Sequence, residues 1–528
     1  MVIMYMFELN KKIITLSIWT NRQNRQNRKI FTEKRMRKVT EKQLEIGQTP
    51  ISKIEIDLKS RDEIPQLLLG LQFIDSNKEL RSEVYQILEG IIPQNVNPRN
   101  GRPGMDLWKI FVLGTLRLNC NWDYDKVHHI SNEHYTVRQF LGHSRFEFDE
   151  KYSLQCIKDN VSLLTPEILD RINKLVVKAG HRLVGHTTGE ALRGRCDSFV
   201  LETDVHFPTD INLLLDAVRK VIFLTARACE QLNITDWRQY RHLYKNVKVR
   251  FNRANRMKTS TSKDENQRLL RENQIKEAHA AYVDLCEFYV SRARECIYIL
   301  DGMGIETISL AMVIENYIAH ADRQIDQIRR RVINGDSIPH HEKVFSIFEE
   351  HTEWIKKGKA GVPVELGLRV CILEDQYGFI LHHHVMEQQT DDKVAFRIVE
   401  ETKRKFSDLD SCSFDKGFYS PENKRSLKSV INNVILPKKG KLSKKDMEEE
   451  YSEEFKNLRR KHSAVESGIN ALENHGLDRC RDHGIKGFKR YVALSVLARN
   501  IQILGSIIRK KKLKQQKRKD RETLLIAA

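Results

Sequence analysis

Residues 196–206 read Cys196-Asp197-Ser198-Phe199-Val200-Leu201-Glu202-Thr203-Asp204-Val205-His206, and here the period of the sequence changes. Phe199, Leu201, Thr203 and Val205 alternate with Val200, Glu202 and Asp204 in a run rich in β-branched and aromatic residues, which predicts a strand. Pro208-Thr209-Asp210 ends it, and residues from Leu213 onward are helical again. Helical stretches are expected over roughly 213–231, 265–300 and 308–333, broken by a polar patch at Lys258–Asp264 and closed by Gly335.

Alternation returns at 344–348 and at 364–373, where Val364, Leu366, Leu368, Val370 and Ile372 share a face. A turn at 375–378 joins that strand to another at 379–386, a hairpin. The rest reads as a helix at about 391–406, a short strand ending at Phe414-Asp415, a helix from Pro421, a strand at 434–436, a charged loop at 438–445, and a helix over roughly 452–474. A last helix follows Gly484 and buries Val492, Leu494, Leu497, Ala498, Ile501 and Leu504.

Upstream of the first strand the pattern is helical. Ser60-Arg61-Asp62-Glu63 reads as a capping box, with Pro65 in the first turn and Leu68, Leu71, Leu80, Val84 and Leu88 on an apolar face. A Pro/Gly/Asn-rich linker follows from Pro93 to Gly104. After it come Trp108, Phe111, Val112, Thr115 and Leu116 at helical spacing, then short helices near 125–132 and 135–141. Three short helices with tight breaks fit a helix-turn-helix-like DNA-binding unit and fit an ordinary bundle equally well.

The chain has 528 residues, 40% apolar and 30% charged, enough to bury cores and too apolar for a fully disordered chain. Gly and Pro are too few for collagen-like or low-complexity classes. No run of about 18 consecutive apolar residues occurs, so no membrane-spanning helix is expected. None of the nine cysteines forms a CxxC pair, and reduced thiols in a cytoplasm fit best. Of the net charge of +19, residues 1–35 and 509–528 hold the larger part: 8 basic against 2 acidic residues in the first, 9 against 2 in the second. A polyanion, nucleic acid first, is the natural partner. Residues 1–35 are read as a disordered basic extension upstream of a true start at Met36, or as a basic arm that touches DNA. Residues 506–528 are read as a disordered or backbone-hugging tail.

With the helical stretch 213–340 set aside, the order is strand, two-stranded hairpin, helix, strand, helix, strand, helix. That is the order of an RNase H-like fold, a mixed α/β core whose chemistry is two-metal phosphodiester cleavage. Mg²⁺ demands hard oxygen ligands, and two ions need shared carboxylates held on rigid elements. Asp197 on the first strand, Asp415 at the end of the fourth and Glu466 on the last core helix supply one carboxylate each. Asp204 and Asp210 compete with Asp197. Seven residues separate Asp204 from Asp197, so the two point to opposite faces. Within His382-His383-His384 only the first and third share a face, which argues against a metal site there.

The stretch Arg195–Asp210 resembles the first motif of ISNCY-type bacterial insertion-sequence transposases. Asp415-Lys416-Gly417-Phe418-Tyr419-Ser420-Pro421-Glu422-Asn423 resembles their second motif, and Arg459-Arg460-Lys461-His462-Ser463-Ala464-Val465-Glu466 their third. Glu353-Trp354-Ile355-Lys356-Lys357-Gly358-Lys359 and the closing helix ending Leu497-Ala498-Arg499-Asn500 are similar as well. The similarity covers most of 36–505 in the right order. It implies a DDE transposase: a helical DNA-binding region (36–150) that reads terminal inverted repeats, a first core strand (190–212), a helical insertion (213–340), the remainder of the core (341–505) and a basic tail (506–528). It implies Asp197 (alternate Asp204), Asp415 and Glu466 as catalytic and metal-holding residues, with two Mg²⁺ or Mn²⁺ ions. Arg459, Arg460, Lys438, Lys439 and Lys441 are expected to contact DNA. The Arg and Lys that many DDE enzymes carry around the final Glu are His462 and Glu473 here. Expected partners are double-stranded DNA, as transposon ends and target, and a second copy on DNA, with no membrane and no small-molecule substrate. The expected location is the bacterial cytoplasm, on the nucleoid. A nuclease of the same fold that cuts without joining, and a non-catalytic DNA-binding derivative, remain the rival readings.

Overall fold

The structure, a computed structural model, describes residues 44, 46–92, 104–146, 150–187, 189–301, 305–356 and 363–527. The basic extension 1–35, most of the linker after Pro93 and Lys357–Lys359 lie outside the described residues. Helix α1 (Glu63–Ser76) starts at Asp62, whose carboxylate accepts from the Ile64 amide at 2.9 Å. Ser60 accepts instead from the Asp62 amide, so the expected Ser60–Glu63 capping box gives way to an Asp cap two residues on. Then come α2 (Lys78–Leu88), α3 (Leu107–Asn119), α4 (Tyr124–Glu133), α5 (Tyr135–Phe140), α6 (Leu154–Val161) and α7 (Pro166–Val184). Asp106, Asp123, Ser153 and Thr165 cap α3, α4, α6 and α7. Helix α3 is buried along nearly its whole length. Strand β1 (Leu192–Thr203) begins four residues before the alternation at 196 does.

The chain divides into two units, one holding the described residues up to Leu201 and from Arg369 onward, the other Glu202–Leu368. The second is wider than the 213–340 insertion expected. Its helices are α8 (Asp210–Gln231), α9 (Tyr240–Arg256), α10 (Glu265–Asp301) and α11 (Ile305–Ile328). Val218, Val221 and Ile222 of α8 share a core with Val247 and Phe251 of α9, Tyr282 and Val290 of α10, and Ile314 and Ile318 of α11. Residues 344–348 form no strand. Their apolar side chains pack instead, Ile347 in that core and Phe345 against Trp354. The strand is β2 (Glu353–Lys356), antiparallel to the start of β3 (Val364–Glu374).

In the first unit the sheet runs β4–β3–β1–β5–β6, with β4 spanning Ile380–Met386, β5 Leu409–Phe414 and β6 Asn433–Ile435. Strands β3 and β4 form the antiparallel hairpin, while β1–β5 and β5–β6 are parallel, so the sheet is mixed. Helix α12 (Asp391–Lys405) covers one face, its Val394, Ala395, Ile398 and Val399 buried with Leu373, Cys412 and Phe414. Short helices α13 (Pro421–Leu427) and α14 (Lys444–Glu450) follow. The single helix expected over 452–474 is broken at Ser463 into α15 (Glu453–His462) and α16 (Ala464–Leu472). After β7 (Arg479–Cys480) comes α17 (Gly484–Ala527), 44 residues long. It packs on α1, α3 and α7. Gly70 and Gly505 let α1 and α17 meet, because a Cβ on either would run into backbone of the other helix. The basic segment from Arg509 continues α17, and Lys, Arg and Gln are good helix formers. Arg509 Nε donates to the Leu58 carbonyl at 2.7 Å. This helix is long and apolar enough to cross a bilayer, but 72% of its apolar window is buried inside the protein, as befits a core helix.

Candidate active site

The parallel pairing of β1 with β5 ends at Cys196↔Phe414. Asp197 and Asp415 come next on each strand, so they hold matching positions and share a face with Arg195 and Ser413 two residues earlier. Asp197 lies in the middle of β1 and is partly buried, whereas Asp415 is exposed at the start of a 3₁₀ turn, Lys416–Phe418. Glu466 is exposed in the first turn of α16.

Burial pushes the Asp197 carboxyl up to about 6, and the charges of Asp415, Asp391 and Glu466 push it the same way against the Ser198 amide. That amide donates to Asp197 Oδ1 at 2.7 Å. Asp415, Glu466 and a further carboxylate, Asp391, thus each bear on Asp197. Ser198 Oγ donates to Asp391 Oδ1 at 2.6 Å, and a Cβ on Gly417 would meet Asp391 Oδ2 at 2.9 Å. Asp391 gave no sequence signal, because an acidic residue in a first helical turn is ordinary.

Beneath the carboxylates lies a second polar layer. His462 Nδ1 and Ser413 Oγ are 3.0 Å apart, tying α15 to β5. Burial pushes the His462 imidazole below its ordinary value, partly offset by Asp415 and Glu466. Arg195 pairs with Glu374 at 3.0 Å and donates to the Asp375 carbonyl at 2.5 Å. Burial pushes the Glu374 carboxyl up to about 7 in spite of Arg195 and Arg499. Gly468 rests directly on Glu374, with no room for a Cβ.

Other expected site residues lie elsewhere. Asp204 is exposed just past the end of β1, and Asp210 pairs with Arg331 at 2.9 Å; both belong to the second unit. Arg459 and Arg460 are exposed in the last turn of α15. Lys439 and Lys441 are exposed too, but Lys438 is engaged, its Nζ 2.6 Å from Asp446 Oδ2. His382 pairs with Glu401 at 2.8 Å, His384 bonds Gln389, and burial pushes His383 down to about 3.

Residues 325–501 match the family model of the transposase DDE domain. No curated protein and no solved structure matches the chain. The matched third of the chain contains Asp391, Asp415, His462 and Glu466 and stops short of β1 with Asp197. Similarity to transposase DDE domains supports a strand-cutting and strand-joining enzyme that acts on DNA, and the mixed sheet is consistent with an RNase H-like core.

Transposase DDE domains generally use divalent metals. Among the described residues, no group of three or more His, Cys, Asp or Glu is gathered closely enough to hold an ion. The donor set nevertheless fits such an ion in kind. All four groups are carboxylates, hard oxygen donors, and a divalent cation relieves both the burial of the Asp197 charge and its repulsion by the other three.

Proposed function

We propose that this protein is an ISNCY-type insertion-sequence transposase that binds terminal inverted repeats and cuts and joins DNA at Asp197, Asp415 and Glu466. The observation that carries this is the β1–β5 register, which sets Asp197 and Asp415 side by side, with Glu466 acting on the same carboxyl. Asp197, Asp415 and Glu466 would hold two Mg²⁺ or Mn²⁺ ions, which would supply neutralisation of phosphate charge and Lewis-acid activation of an attacking oxygen. With its carboxyl at about 6, Asp197 is mostly ionised at neutral pH and would serve as one of the holding groups. Arg459 and Arg460, in the last turn of α15, hold the strand being cut, with Lys439 and Lys441 on flanking phosphates. The helices before β1, with α3 and α4 joined by the tight turn Cys120–Asp123, read the repeat ends in helix-turn-helix fashion. Two copies pair the two ends on chromosomal DNA in the cytoplasm.

Asp415→Asn tests the assignment: end binding is expected to persist while strand cleavage is lost, and normal cleavage by this variant would falsify it. Pre-cleaved ends incubated with target DNA separate a transposase from a nuclease, since only the former yields joined product.

A further inference from the structure

Residues 237–263 contain nine Lys or Arg and no Asp or Glu. The neighbouring helix α10 is mixed by contrast, with seven acidic and five basic residues. Structure sorts the basic run onto one side of α9. Val247, Phe251 and Ala254 are buried in the unit's core. Arg241, Lys245, Lys248, Arg253 and Arg256 are exposed, and at 3.6 residues per turn they fall within an arc of roughly 140° on the opposite side. From Arg241 to Arg256 the row runs about 22 Å. Among the described residues none of the five pairs with a carboxylate. Arginines elsewhere in the unit do: Arg294 with Asp322, Arg329 with Glu287 and Arg330 with Glu342.

We propose that this face of α9 is a docking surface for the phosphate backbone of duplex DNA. The inference rests on the protein acting on DNA, and it adds a contact surface in the unit that lies between Asp197 and Asp391 in sequence. A row of unpaired cations is complementary to a regular array of phosphates, and neutralising them releases counterions. An anionic bilayer is a poorer match, because the apolar side that would enter lipid is already buried in the core. An acidic protein would offer no such regular charge array.

The test is binding of the full chain to a random-sequence duplex as a function of NaCl, for wild type and for Arg241→Gln/Lys245→Gln/Lys248→Gln/Arg253→Gln. Each lost phosphate contact should flatten the log–log salt slope by about 0.9, so a reduction of about three to four is expected, with affinity at low salt down at least roughly tenfold. Lys245→Arg/Lys248→Arg should bind as wild type does, and both variants should melt as wild type does. A quadruple variant with wild-type affinity and slope overturns this inference and leaves the transposase reading standing. A wild-type chain that binds no duplex overturns both. Equal weakening in the Lys→Arg variant, or loss of phosphatidylserine-vesicle binding with DNA binding intact, also overturns it.

Discussion

Asp197 and Asp415 stand one residue beyond the Cys196–Phe414 pair of two parallel strands, so they share one face of the sheet on neighbours about 4.8 Å apart. Two residues behind them on the same face, Arg195 and Ser413 do a different job. Ser413 meets His462, four residues before Glu466, and Arg195 meets Glu374, on which Gly468 rests. These contacts join β1, β3 and β5 to the helix pair carrying Glu466.

Asp197 should destabilise the metal-free fold at neutral pH. Its carboxyl is held at about 6 against an ordinary value of 3.8, so the fold favours the protonated form. The stability it contributes is complete below the ordinary value and is lost as pH rises through about 6. Asp197→Asn cannot ionise and keeps an acceptor for the Ser198 amide. Without divalent metal it should melt above wild type at about pH 7.5, by up to about 3 kcal/mol, with the gap closing by about pH 4. Melting curves across that range check this; a gap independent of pH would remove the electrostatic cause.

Ser198 and Asp391 should be energetically coupled. A hydroxyl donating to a carboxylate is worth about 1.5–3 kcal/mol, and this one spans 2.6 Å between β1 and the start of α12. Ser198→Ala should show most of that loss. Asp391→Ala should cost less, because it also removes a charge that repels Asp197. Urea unfolding of both single variants and the double should give a coupling of at least about 1 kcal/mol. A coupling near zero would mean the contact does not position β1.

The charged loop after β6 should separate into two roles. Lys438 is committed to Asp446, and its amide donates to Glu450 Oε1 at 2.7 Å, so it ties the loop to both ends of α14. Lys438→Ala should lower the melting temperature and leave the salt slope of DNA binding alone. Lys439→Ala/Lys441→Ala should do the reverse, flattening that slope by about two. If Lys438→Ala instead weakens DNA binding without changing the melt, the ion pair is not what occupies it.

The strands that build the sheet were legible because their alternation is uninterrupted: Val364 to Ile372 gave β3, and the turn at 375–378 gave the hairpin. The apolar residues of 344–348 show the limit of that signal, since Ile347 is buried without a strand partner. Helix α9 went unread although Leu243, Val247, Phe251 and Ala254 keep helical spacing, because cations and asparagines fill most of the positions between them. The break at Ser463 has no Pro or Gly to announce it. Asp197, Asp415 and Glu466 were proposed from their positions along the chain alone. Asp391, Arg195 and Glu374 could not be, because their importance comes from pairings of residues up to about two hundred positions apart.

Gly468 offers a test in which the sign decides. Glycine inside a helix is about 1 kcal/mol worse than alanine, so a Gly468→Ala change at an indifferent position would stabilise α16. Here the new methyl would run into Glu374 Oε2, and Glu374 is held by Arg195. Either the carboxylate turns away or α16 lifts from the sheet. Gly468→Ala should therefore destabilise the protein, by roughly 1–3 kcal/mol. It should also raise the Mg²⁺ concentration needed for half-maximal cleavage, because Glu466 lies two residues away on the same helix. Glu374→Asp, one methylene shorter, should recover part of both losses when combined with it. Denaturation and a Mg²⁺ titration of cleavage read the two effects separately. A stabilised Gly468→Ala with an unchanged Mg²⁺ requirement would show that the helix does not bear on Glu374.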